Sequence, residues 1–184
     1  MSRILVDQIR SNSASADAMT LDGSGNVTFP ANATCSGTAT GFGGGKVLQV
    51  VSATYSTQVN SSSSSQVDTG LTCSITTTSA SSKVYVAVSQ SLYVKNASGT
   101  TAFLDWDLVR GSTVISDGVY NIMLRGEAHS PYILIATMGS FVYLDTPGSA
   151  ATHTYKTTAA ASSGEWRAQD DSMPSHMVLM EIEA

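Results

Sequence analysis

Charged residues are scarce in this sequence: nine Lys and Arg and fourteen Asp and Glu make up 12% of its 184 residues, against roughly 25% in an ordinary soluble domain. The formal charge of −5 and the lack of any Lys/Arg cluster leave nothing to neutralise a phosphate backbone, which argues against nucleic-acid binding. Long hydrophobic runs are missing too. Met1-Ser2-Arg3-Ile4-Leu5-Val6-Asp7 puts only three apolar residues in a row before a charge, far short of a secretory leader, and no later run approaches a membrane span. The expectation is a soluble protein made in the cytoplasm, without membrane insertion. Cysteine is limited to Cys35 and Cys73, and with no export signal both are expected to be free thiols. Nowhere do apolar residues recur at the helical spacing i, i+3, i+4, i+7.

Ser and Thr, by contrast, supply about a quarter of the chain. With Val and Tyr they suit pleated, half-buried surfaces, whereas helix faces need Glu, Lys, Arg and Leu. The composition therefore predicts an all-β protein, and the length allows one domain plus a tail. Residues 1–45 form the tail. Ile4, Leu5, Val6 and Ile9 are a small apolar cluster followed by a patternless Ser/Ala/Asn stretch; such a segment cannot fold alone and is a candidate docking arm. Residues 18–30 set two β-prone pieces around Asp22-Gly23-Ser24-Gly25-Asn26, a turn composition. A two-stranded unit is marginal by itself, so Leu21, Val27 and Phe29 need cover, which copies of the same unit in neighbouring subunits would supply. Residues 31–45 end in Gly41-Phe42-Gly43-Gly44-Gly45 and read as a flexible connector.

From Lys46 onward short apolar segments alternate with turn residues. In 83–95, Val84, Val86, Val88, Leu92 and Val94 share a face, interrupted by Gln90, which marks a bulge or a polar contact. In 101–110, Leu104, Trp106 and Leu108 oppose Phe103, Asp105, Asp107 and Val109, a core side and a wetter side. Further strands are predicted at 47–55, 66–76, 119–125, 132–144, 151–159 and 178–183, with a loop tip at the serine run 61–65. About eight strands at this spacing indicate a β-sandwich or jelly roll over residues 46–184.

Catalytic chemistry has little support. No Gly-x-Ser-x-Gly elbow surrounds any serine. His129, His153 and His176 lie far apart without metal-ligand spacing. Asp105 and Asp107 project from one strand face about 6.5–7 Å apart, comparable to glycosidase carboxylates, but any strand with two acids on its polar side shows that spacing. Asp22 to Asn26 lacks the second acid and the closing Glu of a calcium loop. Asp170 and Asp171 could coordinate a cation or simply form a loop. Trp166, in polar company, is either a platform for a sugar ring or a protein partner, or a seal at the end of the sandwich or at a subunit interface. No metal or cofactor is expected.

Four stretches carry a resemblance: Arg3 to Ile9; Leu21 to Phe29; Lys46-Val47-Leu48-Gln49-Val50-Val51; and Leu144-Asp145-Thr146-Pro147-Gly148 with His153-Thr154-Tyr155-Lys156 and Met180-Glu181-Ile182. In their order the chain resembles marine bacteriophage virion-associated, tail-fibre-like structural proteins of the cyanophage type. The resemblance implies a C-terminal jelly roll similar to trimeric tumour-necrosis-factor-like heads, and an N-terminal portion held by the virion. The expected function is non-enzymatic: a homotrimeric short fibre or capsid decoration protein on the particle surface, anchored to other virion proteins through Ile4, Leu5, Val6 and Ile9, with a stalk built on Leu21, Val27 and Phe29. The rival readings are a module binding host surface glycans through Trp166, and a polysaccharide depolymerase using Asp105.

Overall fold

The computed structural model describes residues 7–9, 15–16, 18–29, 46–96, 101–116, 126–127, 133–161 and 163–183. The chain divides into two compact units, Met1–Gly43 and Gly44–Ala184.

The first unit is a small antiparallel sheet of β1 (Gln8–Ile9), β2 (Met19–Leu21) and β3 (Val27–Thr28), in that order. Its turn is built on Asp22, whose Oδ1 accepts the backbone N–H groups of Ser24 and Asn26 at 2.9 and 2.8 Å, while Oδ2 accepts Asn26 Nδ2 at 2.7 Å. Gly25 completes the bend at φ 85°, a conformation open to glycine. The expected hairpin is present, with a third strand added. Ile9, expected in the apolar cluster of the docking arm, lies in a strand, opposite Met19. The Leu21 N–H also donates to the Asp7 carbonyl at 3.0 Å. Ile4, Leu5 and Val6 lie outside the described residues.

The second unit is a β-sandwich. One sheet comprises β4 (Val47–Tyr55), β5 (Val59–Ser61), β7 (Lys83–Asn96), β12 (Ile133–Asp145), β14 (Glu165–Ala168) and β15 (Ser175–Ile182). The other runs β10 (Thr113–Val114), β9 (Leu104–Arg110), β13 (Thr152–Ala161), β6 (Val67–Thr76). Two short strands, β8 (Thr101–Ala102) and β11 (Gly126–Glu127), pair with each other. All pairings are antiparallel. Strand β7 is the spine of the large sheet. It pairs with β12 along one side from Val84 to Asn96, while its other side is shared end to end by β15 (against Lys83 to Ser89) and β14 (against Leu92 to Lys95).

Alternation decides which side chains meet between the sheets. Val84, Val86, Val88, Leu92 and Val94 of β7, Leu71, Cys73 and Ile75 of β6, Tyr155 and Ala159 of β13, and Met177 and Leu179 of β15 form one buried cluster with Trp106 and Trp166. Each large side chain fully withdrawn from water contributes about 1.5–3 kcal/mol. Trp106 packs edge-on against Phe141, ring centroids 4.7 Å apart at 66°. Cys73 is a free thiol in this cluster.

Gln90 resolves as a polar contact within an unbroken register, opposite Gly139. Its Oε1 accepts Trp106 Nε1 at 2.7 Å and Thr157 Oγ1 at 2.8 Å, and its Nε2 donates to Thr69 Oγ1 at 2.9 Å. One buried amide thus ties β7 to three strands of the facing sheet. The predicted wetter side of 101–110 is corrected in part. Asp107 and Val109 are buried, and Asp105 is half-buried. The predicted strand at 119–125 lies outside the described residues. Strands β5 and β14 were not expected: each is very short, and Glu165-Trp166-Arg167-Ala168 offers too little apolar alternation to be seen.

Candidate functional site

Of the residues singled out by sequence, Trp166 moves furthest. It sits inward on β14, between Val94 and Ser61 in register, and is fully buried. The reading of Trp166 as an exposed glycan platform is therefore corrected: its ring is part of the core. Its indole N–H is buried without a hydrogen-bond partner, as befits a side chain placed for volume. The neighbours that share the strand's polar parity face out instead. Arg167 Nε donates to Glu165 Oε1 at 2.7 Å, Arg167 Nη1 to Asp170 Oδ1 at 3.3 Å, and the guanidinium lies 4.6 Å from the centre of the Tyr93 ring. The hydrogen bonds that Arg167 donates to Glu165 and Asp170 raise its pKa above its ordinary value, and Arg167 in turn holds Glu165 below the usual carboxylate range.

Asp170 and Asp171 fall in a tight 3-10 turn, Asp170–Ser172, joining β14 to β15. Gln169, Asp171 and Ser172 all take positive φ there, which costs energy in side chains other than glycine. The turn borders a shallow cleft of about 280 Å³ with Ser91, Thr137, Met138 and Met173. Among the described residues, no group of three or more His, Cys, Asp or Glu comes together as a metal site. His176 is exposed, its Nδ1 3.1 Å from Thr54 Oγ1, and His153 Nε2 lies 3.1 Å from the Ser149 carbonyl; His129 lies outside the described residues.

Two ionisable clusters escaped sequence reasoning, because each joins residues distant in the chain. Asp145, at the end of β12, accepts Arg110 Nη1 and, at 2.7 Å, the Tyr155 hydroxyl. Burial, with the carboxylate beside it, pushes the Tyr155 phenol far above its ordinary pKa, so it acts as a permanent donor. Glu181, fully buried near the end of β15, accepts Gln49 Nε2 at 2.6 Å, and the Thr78 N–H and hydroxyl at 2.6 and 2.8 Å. Burial opposes its ionisation, but these donors outweigh that and hold its pKa down to about 2. Both clusters tie together strands and loops distant in the chain.

The broadest surface features are the two outer faces. On the four-stranded sheet, hydroxyls pair across strands: Ser74 with Thr154 and Thr76 with Thr152, each at 2.8 Å, and Lys156 with Asp68 at 2.7 Å. On the six-stranded sheet, register aligns Val50, Met180, Tyr85 and Leu144 in one row and Ser52, Val178, Ala87 and Val142 in the next. Val50, Val142 and Leu144 are 55%, 50% and 50% exposed. The third row, Thr54, His176, Ser89 and Ser140, is polar. In the first unit, Ile9, Val27 and Phe29 are also exposed.

These observations define an all-β protein, an antiparallel β-sandwich carried with a small separate sheet. No protein-family model and no curated protein matches the sequence. Among solved structures the chain is similar to one described as the structure of infectious bursal disease virus Gt strain, at 12% identity and a TM-score of 0.37, covering 74% of this chain and 38% of that one. The chain thus spans well under half the length of that neighbour, and so loose a likeness carries no argument about function. No helix is long and apolar enough to cross a membrane among the described residues.

Proposed function

We propose that this chain is a non-enzymatic structural protein of a bacteriophage particle. It works as a homotrimeric short fibre or capsid decoration protein, held on the virion through residues 1–6 and displaying its sandwich as a jelly-roll head. The observation that carries the reading is the design of the first unit. Seven residues of strand, with Ile9, Val27 and Phe29 left about half exposed, are too few to be stable alone, so the sheet gains its stability from neighbouring copies. The neutral, hydroxyl-rich composition supports a display role. The ionisable clusters in the sandwich support it too, since the Tyr155 hydroxyl and the Glu181 carboxylate are engaged by neighbouring side chains.

The test is incorporation. Strand β1 begins at Gln8, so deleting residues 2–6 removes the apolar arm and spares the sheet. In a phage lacking the wild-type copy, the truncated protein is expected to be made as a soluble trimer and to be absent from purified particles. Its presence on particles at the wild-type level would sink the anchor assignment.

A further inference from the structure

Beyond the small N-terminal sheet, the sandwich carries a second uncovered apolar surface. We propose that the outer face of the six-stranded sheet, in the half formed by β4, β15, β7 and β12, is the interface through which copies of this chain pack against one another. This rests on the homotrimer reading and assigns it a surface. Chemistry separates this face from its surroundings. The opposite face of the same sandwich is laddered with hydroxyls and a Lys156–Asp68 pair. The adjoining β14 half carries the Arg167–Glu165 and Arg167–Asp170 pairs. The Val50 to Leu144 and Ser52 to Val142 rows carry no charge at all.

The absence of carboxylates is what selects a second copy as the occupant. At a formal charge of −5, two copies meet with least repulsion where neither presents acid, as on these two rows. Four strands about 4.8 Å apart, with alternate residues about 6.8 Å apart, give the two apolar rows a footprint of roughly 260 Å², which the exposed Leu48 and Met138 on the same face extend towards the size of patches that soluble proteins put to use. The two rows are about a third of the ~800 Å² each partner gives to a standard interface, so the rim around them is included.

The experiment measures the mass of the full chain by light scattering across a concentration series. Wild type is expected at three times 19.1 kDa. Val50→Glu with Val142→Glu, both at half-exposed positions, is expected to give a monomer with an unchanged far-UV spectrum. Ser74→Glu on the opposite face is expected to stay trimeric. Should the double variant misfold, Val142→Ser alone is expected to raise the dissociation midpoint at least several-fold. Because the rows lack charge, the wild-type assembly is also expected to survive 1 M salt. Folded face variants that remain trimeric, or dissociation of wild type by salt, would overturn this assignment and leave the trimer itself standing. A monomeric wild type would overturn both. If that monomer bound stripped particles through Val50 and Val142, another virion protein would be the occupant.

Discussion

Glu181 shows how a buried charge is kept in a core of neutral side chains. Its carboxylate receives donors from Gln49 and Thr78, and its pKa of about 2 lies below the 4.5 of an unperturbed glutamate. A folded-state pKa below the unfolded value stabilises the protein above about pH 4.5, and the contribution fades as pH falls towards 2. The urea midpoint of wild type is therefore expected to drop between pH 6 and pH 3, with a shallower drop in Glu181→Gln. Equal slopes would show that other groups govern acid unfolding. Gln90 makes the companion case for an uncharged group. In Gln90→Leu the Trp106 indole N–H loses its acceptor within the core, and stability is expected to fall by about 1–3 kcal/mol in denaturant titrations. Of these residues only Gln90 was conspicuous in sequence, as a polar break in an apolar face. Glu181 was hidden because Thr78 and Gln49 reach it from far along the chain, and Trp166 misled because its sequence neighbours are polar while its spatial neighbours are not.

At the scale of elements, legibility follows length. Strands β7, β12 and β13 run for ten or more residues and were readable, as was the Asp22 turn. Strand β14 owes its existence to pairing with β7 and β5, a long-range cause that local composition does not carry. Its start also depends on Gly164 at φ +88°, where a Cβ would come within 2.0 Å of the Lys95 carbonyl oxygen. That oxygen is backbone and cannot swing aside, so Gly164→Ala is expected to cost more than about 1 kcal/mol, seen as a lower urea midpoint. In the first unit, Asp22→Ala removes the acceptor for the Ser24 and Asn26 amides. Those two amides are expected to exchange with deuterium faster, while amides of β7 keep wild-type protection.

For the whole molecule, the two sheet faces set the division between what is shown outward and what is covered, and the functional reading adds an arm that holds the particle. The sandwich was legible because alternation is a local property. The apolar rows on the outer face of the large sheet were not, since they emerge only when four strands from separate parts of the chain lie in register. The large sheet has a further property in its rims. Strand β12 contains no charged residue before Asp145 and pairs in unbroken register on one side only among the described residues, whereas β4 is interrupted at Leu48 by a bulge, Gln49 pairing with Glu181 and Val47 with Ile182. Natural sheets usually guard such rims with lysine, proline or a bulge. On the homotrimer reading proposed above, this bare edge competes with correct association at high concentration, so the rate at which copies associate, more than the stability of the fold, would set how much protein stays usable.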